Sequence, residues 1–304
     1  MADVTDAAFR RLIAKYGKPD VTWTEFVSAD GLALAPEEGR QKLLRDLLYI
    51  EAERPIVAQF FTASPENMKK AAELARELGF DGVDINMGCP DKSIEKQGAG
   101  AAMMKNPALA REVIRAAKEG AGDLPVSVKT RIGFNKVELE TWLPEILKEE
   151  PAVVTIHART RKEMSKVPAR WEFVRRAVEI RDEMQSKTLI FGNGDVVDLN
   201  DAREKVRETG CDGVMLGRAI FGNPWLFKDD HVPSLKEKLS VLIEHTELFE
   251  ELLGDLKNFA IMKKHFKAYI NGFDGASDLR SHLMETATAY EVRQAIERFL
   301  EKGS

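Results

Sequence analysis

Short apolar runs alternate along this chain with longer amphipathic stretches. The runs fall at Asp20–Phe26, Pro55–Phe61, Gly82–Asn86, Val126–Arg131, Val153–His157, Leu189–Asn193 and Gly213–Gly217. They are rich in Val and Ile and nearly continuous, as parallel strands buried on both faces should be. The stretches between them carry helix signals. Ser64-Pro65 reads as an N-cap and first helical position; Met68, Ala71, Ala72, Ala75 and Leu78 then form one apolar face, and Gly79 ends it. Asn106-Pro107 opens a second helix in the same manner, with Gly120 expected to close it. Gly79-Phe80-Asp81-Gly82-Val83 and Gly210-Cys211-Asp212-Gly213-Val214 echo one another, each carrying a helix end into a strand start.

Repeated β-α units with a parallel sheet leave two choices, a doubly wound sheet or a closed barrel. Seven strands are counted after Met1, and eight would close a barrel. On the barrel reading the chain opens in the loop between a barrel's first strand and first helix, and a first strand before Met1 is expected to be missing. From Pro233 the character changes: no proline follows, and the remainder reads as helices at Ser234–Leu253, Leu256–Asn271, Ala276–Ala289 and Tyr290–Lys302. The expected fold class is α/β, a TIM-type (β/α)8 barrel with its first strand truncated, over residues 1–230, and a C-terminal all-helical domain over 231–304.

Composition narrows the class of protein. Of 304 residues, 44% are hydrophobic and 31% charged, which favours a folded chain over a disordered one. Cys89 and Cys211 are too few and too far apart for a disulfide framework. The start lacks the basic end and apolar run of a signal peptide, and no stretch reaches the length of a membrane span. A cytoplasmic location with no membrane partner is expected. His231, His245 and His282 show no ligand spacing, so no metal is expected. The net charge of −5 announces no nucleic-acid partner, which would have to meet local basic patches. Two exist: Arg159, Arg161, Lys162, Lys166, Arg170, Arg175 and Arg176 around Trp171, and Lys263, Lys264, His265 and Lys267. The plainer reading of the first run is a solvated helix face, diluted by Glu163 and Glu172.

Chemistry in an α/β barrel is expected at the carboxyl ends of the strands. Those positions here are Gln59, Asn86 with Cys89, Lys129 with Arg131, His157 with Arg159, Asn193-Gly194-Asp195, and Gly217-Arg218. Asp84-Ile85-Asn86-Met87-Gly88-Cys89-Pro90 presents a thiol on a turn, followed by Lys92, Lys96 and Gly98-Ala99-Gly100. Small residues in the last two groups leave backbone N–H groups to a phosphate, and Arg218 adds charge. Lys129 and His157 suit the side of a planar ligand, where a lysine stabilises negative charge on a reduced flavin; Gln59 offers a donor and an acceptor to a heterocycle edge. The structural alternatives are a buried apolar role for Cys89, a satisfied core histidine at 157 and a carboxylate partner for Lys129. Cys211, at a strand start, reads as core.

An ordered motif set covers nearly the whole chain: Met1 to Asp6, Asn86-Met87-Gly88-Cys89-Pro90, Lys96 to Gly100, His157-Ala158-Arg159-Thr160-Arg161, Asn193-Gly194-Asp195, and Gly217-Arg218 through Gly222-Asn223-Pro224-Trp225. In this it resembles the tRNA-dihydrouridine synthase family. The resemblance implies reduction of the C5=C6 bond of specific tRNA uridines by FMN, itself reduced by NADPH. Hydride would pass from flavin N5 to C6 and a proton from Cys89 to C5. It further implies FMN contacts at Met1, Ala2, Gln59, Lys129, His157, Asn193, Gly194, Asp195, Gly217 and Arg218. Contacts to RNA are expected at Asn86, Lys96, Arg159, Arg161, Lys263, Lys264 and Lys267, with the helical domain binding tRNA and the protein a monomer. A base reaching such a site has to leave its stack. Between Arg161 and Trp171 the chain departs from the family's usual tyrosine–glycine pattern, carrying Met164-Ser165-Lys166-Val167-Pro168-Ala169-Arg170 at preserved length. Two other readings stay open: an FMN barrel acting on free pyrimidines, and a catalytically silent tRNA-binding protein.

Overall fold

The computed structural model describes residues 3–228 and 231–302. Seven strands, β1 (Thr22–Ser28), β2 (Ile56–Phe61), β3 (Gly82–Met87), β4 (Val126–Arg131), β5 (Val153–His157), β6 (Leu189–Asn193) and β7 (Gly213–Met215), form one sheet in sequence order. The pairings from β2 through β7 are all parallel. Sequential parallel strands, separated by helical segments, are the TIM-type arrangement, and among the described residues the sheet has seven members. Each strand overlaps one of the expected runs, β1 passing the end of its run by two residues and β3 by one. The last is shorter, ending at Met215, so Gly217 and Arg218 lie in the segment beyond it.

The echoed segments perform the same task twice. Asp81 accepts from the N–H of Ile56 at 2.7 Å, and Asp212 accepts from that of Ile190 at 2.8 Å. Their own N–H groups return to the carbonyls of the same two residues. Each aspartate thus ties the start of its own strand to the start of the neighbour and sets the register.

The helix starts are built as the sequence predicts. Ser64 Oγ accepts from Asn67 N–H at the head of Pro65–Glu77, and Asn106 accepts from Leu109 N–H at the head of Pro107–Ala121. The second helix runs through Gly120 and closes at Gly122 instead. A Cβ on Gly120 would lie 2.2 Å from the Lys69 carbonyl, so this glycine is a site of close helix–helix approach rather than a cap.

Two compact units divide the chain. One comprises 26–47 and 55–218; the other comprises 1–25, 48–54 and 219–304. In the latter, Ser234 and Glu237 form a reciprocal capping box at the head of Leu235–Leu253. The helix expected over 256–271 starts later, because Asn258 caps a 3-10 turn at Phe259–Met262 that leads into Lys263–Tyr269. Two further helices, Ala276–Glu285 and Ala289–Lys302, follow. The buried Arg10 pairs with the buried Glu53 at 2.7 Å. Among the described residues no helix is long and apolar enough to cross a membrane.

Candidate active site

The Cys89 turn is held on every side. Asn86, at the end of β3, accepts from the N–H groups of Gly88 at 3.1 Å and Cys89 at 2.9 Å through one side-chain oxygen. Arg131, at the end of β4, donates from Nε to the Gly88 carbonyl at 2.8 Å and from Nη1 to the carbonyls of Thr160 and Met164. The Cys89 carbonyl accepts from Ala101 N–H at 2.9 Å. Gly100 makes that last contact possible: its φ is +58°, and a Cβ there would stand 2.8 Å from the Cys89 oxygen. The side chain packs against Phe61, Ile94 and Ala99. Burial pushes the Cys89 thiol up, with the Asp91 backbone N–H, Arg131 and Lys129 only partly opposing it, so the sulfur keeps its proton at neutral pH.

Beside this turn, β4 to β7 end in a wall of cationic groups. Lys129 points its ammonium at Asn193 Oδ1, 3.3 Å away, and Asn193 is oriented by donating to the Met215 carbonyl at 2.7 Å. Desolvation, aided by Arg131, brings Lys129 down to about 8. Arg159 is buried and donates to Val167 O, to His157 Nε2 at 3.1 Å and to Asp195. Asp195 also accepts from Ala169 N–H at 2.8 Å and from the exposed Arg218. Burial, then the charges of Lys129, Arg131, Arg159 and Arg218, push His157 down to about 2. Gly194, at φ +128°, is confined: a Cβ would meet Ala169 Cβ at 2.8 Å and His157 Cδ2 at 3.3 Å. Trp171 donates to its carbonyl at 2.9 Å.

Of the residues expected at a cofactor, Gln59, Lys129, His157 and Asn193 lie within the last three residues of their strands, and Gly194, Asp195, Gly217 and Arg218 lie just past strand carboxyl ends, all in one unit. Met1 and Ala2 lie outside the described residues. Of those expected at RNA, Asn86 is buried and holds the Cys89 turn, while Lys96 is exposed on the short helix Lys92–Lys96. Arg159 does not face solvent: at 2% exposure its guanidinium is committed to His157, Asp195 and Val167. Arg161 makes a two-pronged pair with Glu95 that links the loop after β5 to the Cys89 loop. Within the rest of that basic run Arg170 is compensated by Glu163 and Arg176 by Glu140, Glu179 and Glu183, and Trp171 turns inward. In the other unit Lys264 and Lys267 are exposed and Lys263 half-buried, whereas His265 faces the core.

Sequence reasoning gave no role to Asp84 and Ser127. Asp84, wholly buried in the middle of β3, accepts from Gln59 Nε2 at 2.6 Å and from Ser127 Oγ. A carboxylate inside an otherwise apolar strand was the available signal, since such a group is retained only with partners.

The donor set suits a flavin. It offers a cation at Lys129, a neutral imidazole, a fixed amide at Gln59, and small residues with an arginine where a phosphate would lie. The dihydrouridine synthase (Dus) family model matches residues 1–303. A protein of Bacillus subtilis strain 168 named "Probable tRNA-dihydrouridine synthase 2" is 41% identical over 99% of this chain and 93% of its own length. A "Probable tRNA-dihydrouridine synthase" of Staphylococcus aureus strain MRSA252 is 39% identical over 98% and 91%. Among solved structures, a 2-naphthoyl-CoA reductase complex aligns at TM-score 0.55 with 13% identity, over 75% of this chain and 46% of its own. Histamine dehydrogenase from Rhizobium sp. 4-9 aligns at 0.54 with 14% identity, over 80% and 46%. This chain therefore spans less than half of each of those two, and at such identity the likeness is one of fold. The family match over essentially the full length is decisive: the chain belongs to the dihydrouridine synthase family.

Proposed function

We propose that this chain reduces the C5=C6 bond of uridines in tRNA to 5,6-dihydrouridine, with FMN at the carboxyl ends of β2 and β4 to β7 and Cys89 as the proton donor. One observation carries the reading: Cys89, clamped at the end of β3 by Asn86 and Arg131, stands beside strand ends that form a wall of cations at Lys129, Arg131 and Arg159. Such a wall suits an anionic cofactor that gains further negative charge on reduction.

FMN, reduced by NADPH, would supply the hydride to C6 of the base. The chain supplies position and the proton. Lys129, aimed by Asn193, places its positive charge at the ring, while His157 offers Nδ1–H, its other nitrogen being engaged by Arg159. Gln59 meets the heterocycle edge. Gly194, Gly217 and Arg218 hold the phosphate, with Asp195 steering Arg218. Cys89 Sγ holds a proton and delivers it to C5 of a uracil flipped out of its stack. Lys96 and Arg161 border that approach, and the helical part from 231 to 304, with Lys263, Lys264 and Lys267, takes the tRNA backbone by charge.

The test is nucleoside mass spectrometry of unmodified tRNA incubated with protein, FMN and NADPH, with Cys89→Ala alongside. Dihydrouridine from the wild type and little from the variant is the expected result. A wild type that holds FMN yet forms none, or a variant equal to wild type, would overturn the reaction or the acid respectively.

A further inference from the structure

Register puts three polar side chains in one row across the sheet. Gln59 of β2 is opposite Asp84 of β3, and Asp84 is opposite Ser127 of β4. Asp84 Oδ2 accepts from Gln59 Nε2 at 2.6 Å, and Oδ1 accepts from Ser127 Oγ. An amide has one donating end and one accepting end. With its nitrogen turned to Asp84, Gln59 presents Oε1 to Asn86 Nδ2, 3.2 Å away. Asn86 therefore presents Oδ1 to the two N–H groups of Gly88 and Cys89. Reversing Gln59 would set its NH₂ against that of Asn86, and reversing Asn86 to relieve this would set NH₂ against the two N–H groups and leave the turn without its acceptor.

We propose that Asp84 is a positioning residue for Cys89, acting through the amide directions of Gln59 and Asn86. The positioning stands on geometry alone; its consequence for proton delivery rests on Cys89 being the acid. What the site requires at residue 84 is an acceptor aimed at Gln59, not a charge. Asp84→Asn can meet that requirement by turning its carbonyl to Gln59 and its NH₂ to Ser127 Oγ, which then donates to the Val83 carbonyl, 3.4 Å away. Asp84→Val cannot.

The test is the rate of iodoacetamide alkylation at each cysteine, read by peptide mass spectrometry on the flavin-loaded protein at fixed pH. Cys211, 2% exposed at a strand start, reports general opening of the same unit. In Asp84→Val, Cys89 is expected to react several-fold faster with Cys211 unchanged, and kcat for dihydrouridine formation to fall with KM for tRNA unaltered. Asp84→Asn should label like wild type. If Asp84→Val opens the fold, with both cysteines labelled, Gln59→Met breaks the same relay one link on and has to give the selective rise at Cys89. The proposal is overturned if Cys89 reacts at the wild-type rate in the folded variant that breaks the relay. It is equally overturned if Asp84→Asn labels as fast as Asp84→Val, which would make the charge facing Lys129 the operative feature. Because labelling needs no turnover, an inactive Cys89→Ala bears on the acid and this result on the relay.

Discussion

The Arg159 guanidinium lies 3.1 Å from Nε2 of His157. Arginine carries only donors, so Nε2 accepts and the imidazole is neutral with its hydrogen on Nδ1. The same side chain donates to Val167 O at 2.6 Å and to Asp195, which in turn holds Arg218. One buried arginine thus sets a tautomer, fastens the loop after β5 and anchors the group that steers the exposed cation.

Replacing Arg159 by Met would free His157 to rotate and leave Asp195 with one cation fewer. FMN affinity is expected to weaken by about tenfold or more, the value of one charge-assisted hydrogen bond of ~1.4 kcal/mol. Fluorescence titration of the apoprotein with FMN measures this, with circular dichroism to confirm folding. An unchanged Kd in a folded variant would remove Arg159 from the site.

Cys89 has to carry its proton when the base is reduced. Burial raises its thiol above the ordinary ~8.5, so it stays protonated beyond the point where Lys129, at about 8, loses its charge. Turnover should therefore hold through neutral pH and decline above pH 8 on a limb that belongs to Lys129. Cys89→Ala should lower the rate by roughly 10²–10⁴ and leave flavin absorbance unchanged. Lys129→Met should abolish the limb near pH 8 in whatever activity it keeps. A limb that survives in Lys129→Met would assign it elsewhere.

The strands were legible because continuous apolar runs bounded by turn residues have few other readings, and the Cys89 turn because its residues are contiguous. The roles of Asp84, Arg159 and Gly120 were not. In a strand buried on both faces the alternation that would show which way Asp84 points is erased. Arg159 looks like part of a basic surface until Val167, further along its own loop, and Asp195, from the loop after β6, are brought to it. The run from 159 to 176 loses much of its apparent charge for the same reason: Glu95 and Glu140 come from distant segments. Gly120 sits where a cap is plausible, and only the approach of Lys69 shows its purpose.

Lys263, Lys264 and Lys267 are expected to contribute to tRNA binding unequally. Asp3 lies 3.5 Å from Lys264 and already compensates part of its charge. Lys263→Gln and Lys267→Gln should each weaken binding and each lower the slope of log Kd against log salt by about one; Lys264→Gln should lower it by less. Fluorescence anisotropy with labelled tRNA over a salt series measures the slopes, and flavin content should not change. Slopes equal to wild type in all three would take this helix out of the RNA interface.

Acid stability should reflect a contest inside the unit that contains the helical segment. His245 and His265 meet edge to face at 4.5 Å between centroids, with Phe9 stacked on His245 at 4.8 Å. None of their four ring nitrogens finds a hydrogen-bond partner among the described residues. Burial pushes both down, His265 to about 4 from an ordinary 6.5. Between those values the unfolded chain binds more protons than the native one, so stability falls as pH drops. Asp6 runs the other way. Burial lifts it from 3.8 to about 6, the native state holds the extra proton in that interval, and stability rises as pH drops. One carboxyl offsets one imidazole and the second imidazole prevails, so Tm should decline modestly from pH 6.5 to 4.5. Asp6→Asn keeps the helix cap yet removes the offset, and should steepen the decline. His265→Phe should flatten it. Thermal melts of the three proteins across that window decide the matter, and parallel curves for wild type and Asp6→Asn would show that Asp6 takes up no proton there.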